Sequence, residues 1–467
     1  MSTEGTYVET PSVDSRHRTR YTIAIHVAVG TGLAALLFLF AGNAGIPPLV
    51  ESDYCYLLTA ADRFADGKGL TATQPVAPLQ PWEWQRDWSF LTKWPCGYPM
   101  MIAVAKIFTG DTLVACRLVA AIACAAACIG WFLWARRCTP QGMPGILLAV
   151  LTASCSISLA GVMNPSTDQL LIAAIPYILL LVIEGIGEKQ QGPPRIGGAP
   201  YFGYLIAAGL LSGMLFWIRY ASIFVPAAVA FFLVLIAFSR RRTAYFRSLQ
   251  AFCFSALAPI VILVSMNRAL GAGASTQEQL NLGHSVGFHL SLNMLATAWM
   301  NLTEYSFYAH KPAARWLFAC WPAILAMICL GIPQFRQTML SHFRRPAVML
   351  SASMVFMLLL VLTLVTTLFA AKFNYIALDR YYQPVKPIYF LLFVAPLIAL
   401  PWKPARWMVA VCAGLGISWF AQHEWPKTYQ RWIAAEREVT PYGQWANCFS
   451  PNAAKVYSTV QALNAPT

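Results

Sequence analysis

Long apolar runs separated by short polar ones recur along the whole chain. A membrane-spanning helix needs about 20 mainly apolar residues. Stretches near that length lie at 21–41, 112–135, 143–162, 168–186, 201–217, 220–238, 249–267, 313–333, 347–370, 384–401 and 405–421. The pattern predicts an all-α polytopic membrane protein with about eleven transmembrane helices. The runs at 201–217 and 384–401 are short for a full crossing, so tilting or a break is expected there. Residues 1–20 are mostly polar and no small-residue cleavage site follows the first run, which predicts a retained helix rather than a signal peptide. The chain thus divides into an N-terminal tail (1–20), a transmembrane body (21–421) and a C-terminal tail (422–467).

The polar connections are unequal. Those on one side are short. The other side holds a long loop at 42–111, a second at 268–312 and the C-terminal tail. The composition is 58% hydrophobic and 11% charged, with 33 Lys and Arg against 19 Asp and Glu, a net charge of +14. That excludes a disordered chain and a small disulfide scaffold, and it does not fit an ordinary soluble domain, about a quarter of whose residues are charged. With the N-terminus inside, Arg16, Arg18, Arg20, Arg136, Arg137, Lys189, Arg195, Arg240, Arg241, Arg242, Arg247, Arg336, Arg344, Arg345, Lys403 and Arg406 fall on the short-loop side. Only Glu4, Glu9, Asp14, Glu184 and Glu188 oppose them, so that side carries +11 and the outer side +3. This is the positive-inside pattern. The charge sets orientation and argues against a nucleic-acid partner, which would need basic residues gathered on one folded face. The two halves show no internal repeat, which weakens a transporter of the inverted-repeat type.

The first outer loop carries the most chemistry. It opens with Glu51 and Asp53, two carboxylates just beyond the first span. Tyr54, Leu57, Leu58, Ala61, Phe64 and Ala65 then make an apolar face at helical spacing, with Asp62, Arg63, Asp66 and Lys68 opposite and Gly67 and Gly69 as terminators. An interfacial helix is expected. A stretch with Trp82, Trp84, Trp88 and Trp94 suits the headgroup zone. Trp94-Pro95-Cys96-Gly97-Tyr98-Pro99 leads into a second short apolar helix, Met100 to Phe108. Asp53 has two readings: it caps the helix that follows, or it accepts a proton from a hydroxyl as general base. A carboxylate pair is also able to hold a divalent cation.

Taken together, Asp53, the Pro95-Cys96-Gly97-Tyr98-Pro99 element and Arg117 in Ala115-Cys116-Arg117-Leu118 resemble the GT-C fold membrane glycosyltransferases. The branch is that of the protein O-mannosyltransferases and lipid A aminoarabinose transferases. The resemblance is strongest over about 21–240 and returns at 379–387, where Arg380-Tyr381-Tyr382-Gln383-Pro384-Val385-Lys386-Pro387 is similar to that branch's "R-Y-x-x-P-x-x-P" element. It implies a glycosyltransferase that moves a sugar from a polyisoprenyl-phosphate donor to an acceptor hydroxyl on the outer face, with inversion. Asp53 would be the general base and Glu51 would orient it or help bind a metal. Arg380, Lys386, Arg219 and Arg117 would bind the donor phosphate. Asp168 would be a second carboxylate on the same cavity, although Thr167-Asp168-Gln169-Leu170 departs from the branch's Ser/Thr-Glu-x-Leu.

Other readings stand beside these. Ser166 or Asp168 is suited to capping the fourth span. Arg219 is placed to snorkel to the outer surface, and Arg380 to pair with Asp379. Lys372, His284, His289, His310 and His423 show no zinc-site spacing. Asn301-Leu302-Thr303 reads as a chance glycosylation triplet. Of 12 Cys, only Cys55, Cys96 and Cys448 lie outside the spans, and a Cys55–Cys96 disulfide is one expectation in an oxidising compartment. No cofactor is certain; a divalent cation held by Glu51, Asp53 and Asp168 stays open, as does the acceptor, whether lipid, glycan or protein. A bacterial inner membrane is expected, with the N-terminus cytoplasmic and the site periplasmic. The alternatives are a transporter or flippase of a lipid-linked substrate, which predicts polar residues buried in mid-span, and a GT-C-type glycan polymerase or ligase, which predicts an Arg-rich outer loop.

Overall fold

The computed structural model describes residues 52–72, 88–92, 94–139, 142–160, 166–187, 201–240, 243–271, 292–303, 312–368, 379–400, 402–418 and 422. The expected span at 21–41, Glu51, Lys372, Cys448 and the four outer histidines lie outside these residues. So does the C-terminal tail beyond 422.

The described chain is helical apart from one two-residue hairpin, β1 (Thr71–Ala72) paired antiparallel with β2 (Ser89–Phe90). Two helices flank that hairpin, α1 (Ser52–Ala65) and α2 (Gly97–Thr109). The apolar runs then become α3 (Thr112–Cys138), α4 (Met143–Ala160), α5 (Thr167–Gly185), α6 (Phe202–Ile218), α7 (Phe224–Arg240) and α8 (Thr243–Leu270). There follow α9 (Leu292–Thr303), α10 (Pro312–Gly331), α11 (Pro333–Phe343), α12 (Pro346–Leu368), α13 (Lys386–Phe393) and α14 (Ala395–Ala399), then a helix over 403–418. Among the described residues, five helical segments are long and apolar enough to cross a membrane: Thr112–Cys138, Thr167–Gly185, Tyr220–Ser239, Ala244–Leu270 and Pro346–Val365. Four shorter apolar helices accompany them. The chain is therefore an all-α polytopic membrane protein, and each expected span from 112 onward coincides with helix. Of the two short runs expected to tilt or break, 384–401 does break, the helix stopping at Phe393 and restarting at Ala395, whereas 201–217 is one continuous helix, Phe202–Ile218.

Helix packing follows from small residues and displaced hydrogen bonds. Along α6, Gly209 and Gly213 face α8 so closely that a side chain at either would strike the backbone around Phe252 and Ala256. This is the close helix approach that small residues four apart allow in lipid. Between α3 and α5, a Cβ on Gly130 would lie 2.6 Å from the Pro176 ring. Pro176 has no N–H to give the Ile172 carbonyl one turn back. The Trp131 indole takes that role, donating to the Ile172 carbonyl at 2.9 Å. The main apolar core lies among α3, α5, α7, α12 and α13, around the fully buried Trp131, Trp134 and Phe232.

The first outer loop differs from expectation in detail. Helix α1 begins at Ser52 and buries Tyr56, Leu57, Leu58, Ala60 and Ala61. Phe64 and Ala65 are exposed, because the chain turns away at Gly67 (φ 74°) and Gly69 (φ 79°). Its polar face is not merely solvated. Asp62 accepts from Lys106 Nζ at 2.7 Å and from the Thr112 hydroxyl, which ties α1 to α2 and α3. Burial alone would lower the Lys106 pKa, but the bond to Asp62 and the Asp66 and Asp111 charges hold it above its ordinary value. The Arg63 guanidinium lies 3.6 Å from the Trp88 ring centroid, and Trp94 stacks on Tyr56 at 4.8 Å. These two tryptophans pack against side chains of α1, and Trp82 and Trp84 lie outside the described residues. Helix α2 starts at Gly97, ahead of the expected Met100, and ends at Gly110 (φ 74°). Asp111 then caps α3 by accepting from the Leu113 and Val114 N–H groups, both at 2.8 Å.

Candidate functional site

Side chains from four separate segments meet at one end of these helices, the end that the charge pattern assigns to the outside. The first is α1, whose first turn holds Asp53. The next residue, Tyr54, packs edge-on against Tyr98 of α2 with ring centroids 6.2 Å apart. The Tyr54 hydroxyl donates a long hydrogen bond, 3.5 Å, to Ser166 Oγ.

The second segment is the start of α5. Ser166, rather than Asp168, is the cap: its Oγ also accepts from the Asp168 N–H at 3.1 Å. The Asp168 carboxylate is therefore released from capping, and it forms an ion pair with Arg219. Both partners are buried, at 7% and 13% side-chain exposure. Arg219 does not snorkel to the surface. It forms the third segment, as the single extended residue between α6 and a 3-10 turn, Tyr220–Ile223. Tyr54 lies within electrostatic reach of it.

The fourth segment is the 3-10 turn Asp379–Tyr381. The Tyr381 ring has the Arg219 guanidinium carbon 4.5 Å from its centroid and that of Arg380 at 5.5 Å. Two cations thus share one aromatic ring, a favourable cation–π arrangement, although each guanidinium repels the other. Arg380 is exposed while Arg219 is not. Of the remaining expected phosphate contacts, Lys386 is buried at the first turn of α13 at 2% exposure. Arg117 sits half-buried on α3 beside Cys116, whose Sγ is 3.3 Å from the Tyr98 hydroxyl.

The Pro95–Pro99 element has a structural reason for its glycine. A Cβ at residue 97 would lie 2.6 Å from the Trp217 carbonyl oxygen, so α2 starts directly against the end of α6 that presents Arg219. Cys96 beside it is a free, fully buried thiol packed with Leu70 and Leu263. The Cys55–Cys96 disulfide is thereby corrected, and burial raises the Cys96 pKa to about 11. The Asn301 triplet lies within α9, with the Thr303 hydroxyl buried and donating to the Trp299 carbonyl at 3.0 Å.

Among the described residues no group of three His, Cys, Asp or Glu is arranged to hold a metal ion. Of the expected carboxylate set, Asp168 faces a guanidinium, which disfavours a cation beside it.

These features define a polytopic membrane protein with a cluster of carboxylate, guanidinium and tyrosine groups at one end of its helices. ArnT from Cupriavidus metallidurans bound to undecaprenyl phosphate has a similar structure, with a TM-score of 0.52 at 15% identity. The match covers 94% of this chain and 76% of that one. Apo ArnT from the same organism gives 0.49 at 16% identity, over 85% of this chain and 62% of that one. An Archaeoglobus fulgidus oligosaccharyltransferase in the apo form gives 0.44 at 13%, over 95% and 61%. This chain spans less than two thirds of the length of those last two. The first likeness establishes the fold, the GT-C architecture that the sequence resemblance implied. No family model matches the chain, and neither does any curated protein.

Proposed function

We propose that the protein is a membrane glycosyltransferase that takes a sugar from a polyisoprenyl-phosphate donor and transfers it to an acceptor hydroxyl at the outer face. The observation that carries this reading is the pairing of Arg219 and Arg380 on the Tyr381 ring, near the start of the helix that bears Asp53. Two guanidiniums sharing one ring, one of them paired with a buried carboxylate of α5, suit an anion with more than one oxygen. The fold supports the choice of anion, because the ArnT crystal structure that shares it holds undecaprenyl phosphate.

In this scheme the acceptor oxygen attacks the anomeric carbon from the face opposite the phosphate, and the carbon–oxygen bond to phosphate breaks with inversion. Asp53 removes the acceptor proton as general base, and Glu51 orients it. The leaving lipid phosphate gains charge as the bond breaks, and Arg219 and Arg380 stabilise that charge. Lys386 and Arg117 add positive potential from the flanks. The protein would sit in a bacterial inner membrane with its N-terminus cytoplasmic.

The test is transfer by purified protein in liposomes with radiolabelled polyprenyl-phosphate sugars, compared with Asp53→Asn. Loss of a general base is expected to slow transfer by about 100-fold or more. Equal transfer by the variant would remove Asp53 from the chemistry. Translocation of the lipid without transfer would favour a flippase.

A further inference from the structure

Arg219 is held by its neighbours in the chain as well as by its ion pair. Its N–H donates to the Leu215 carbonyl at 2.9 Å, and its own carbonyl accepts from the Ser222 N–H at 3.0 Å. On one side, the Trp217 indole donates to the Pro259 carbonyl of α8 at 2.8 Å. On the other, the Tyr220 hydroxyl donates to the Thr92 carbonyl in the first outer loop at 2.7 Å. Asn267, in the last turn of α8, donates from Nδ2 to the Tyr220 hydroxyl oxygen at 2.8 Å. Tyr220 thus uses its hydroxyl as donor and acceptor at once, between two elements that flank the residue before it.

We propose that Tyr220 and Asn267 are positioning residues that fix Arg219 where it meets the lipid phosphate. The inference rests on the lipid-phosphate reading of Arg219 given above. A chain of hydrogen bonds in a dry setting is mutually strengthening, and this one runs from α8 through Tyr220 to the first outer loop. With Trp217 anchored to α8 and pressed against Gly97, the backbone on both sides of Arg219 is fixed. A guanidinium grips a phosphate through a planar fork, so its grip depends on direction as well as distance. Helix α8 ends at Leu270, three residues beyond Asn267, so the brace lies in its last turn.

A merely structural role for Tyr220 would lower stability without depending on Arg219. A double-mutant cycle separates the two roles. The full-length protein in nanodiscs is titrated with undecaprenyl phosphate, with undecaprenol as the phosphate-free control. Tyr220→Phe is expected to weaken undecaprenyl phosphate binding by about tenfold, the scale of one charged hydrogen bond mis-held. Asn267→Leu, which leaves the bond to Thr92, is expected to act in the same direction and less strongly. In the Arg219→Ala background Tyr220→Phe is expected to cause no further loss, and undecaprenol binding stays unchanged throughout. If Arg219→Ala weakens binding while Tyr220→Phe and Asn267→Leu leave it unchanged, the positioning role is overturned and the lipid-phosphate reading stands. Additive losses also overturn it. Wild-type protein that fails to distinguish undecaprenyl phosphate from undecaprenol overturns both.

Discussion

The molecule has an ion pair at each end, and the two are built differently. At the end assigned to the outside, Asp168 and Arg219 are buried, with 7% and 13% of their side chains exposed. At the opposite end, Arg137 in the last turn of α3 meets Glu184 in the last turn of α5, and the carboxylate is 43% exposed. Both pairs therefore touch α5, one at each end. The two arginines are similarly covered, Arg137 at 16% exposure, so the contrast lies in the carboxylates; a pair with one open partner contributes little. The outer pair loses hydration on both partners, and attraction between them does not reliably offset that loss. A protein selected for stability alone would have little reason to bury those charges. The contrast is what the proposed phosphate-binding role of Arg219 would require, since a buried guanidinium adds little to stability by itself.

The strongest way to break this comparison is to remove one partner from each pair. Arg219→Ala strands a buried carboxylate and is expected to cost about 3–5 kcal/mol, read as a large fall in Tm in detergent. Similar costs for Arg219→Ala and Glu184→Ala would erase the distinction.

A second test uses the inner end, where the buried titratable group is neutral. His342 of α11 is fully buried and donates from Nε2 to the Leu391 carbonyl at 3.2 Å. Burial, with the nearby Arg345 charge, depresses its pKa from 6.5 to about 4. The unfolded chain then binds the proton more readily than the folded one between those values. Stability is full above pH 6.5 and is lost as pH falls toward 4. About 2 kcal/mol should go between pH 7 and pH 5. Chemical denaturation at the two pH values checks this, and His342→Gln should flatten the dependence.

Third, Gly97→Ala forces a methyl group onto the Trp217 carbonyl and should cost about 1–3 kcal/mol. It is expected to weaken undecaprenyl phosphate binding as well, because the displaced backbone leads to Arg219. The smallest effect belongs to Glu184→Ala at the inner end, below about 1 kcal/mol and shrinking further in high salt.

Much of the fold was legible because lipid imposes a simple rule: apolar runs of sufficient length become helices. Interior breaks were harder. The short run at 384–401 signalled one, but its position at Val394 depends on side chains from elsewhere. The site was half legible. Asp168 and Arg219 each stood out as charges beside apolar runs, yet their pairing spans 51 positions that no local spacing encodes. The choice between Ser166 and Asp168 as cap was open in the sequence; the hydroxyl took it because Arg219 claimed the carboxylate. Tyr54, Tyr98 and Tyr381 were missed as site residues although each lies beside or inside a motif singled out for another residue. His342 carried no signal at all, since its role exists only opposite a broken helix.

That broken helix has a consequence for the bilayer. From Lys386 to Ala399 the chain rises about 21 Å at 1.5 Å per residue, against a hydrocarbon thickness of about 30 Å. A helix this short is not able to bridge oil to water on both sides while facing lipid. It survives by being walled in: residues 386–392 are all buried in protein, and the Leu391 and Phe393 carbonyls near the break accept from His342 and Trp321. Lys386, at the first turn of this segment, therefore carries its ammonium inside protein, where the same charge facing acyl chains would be costly.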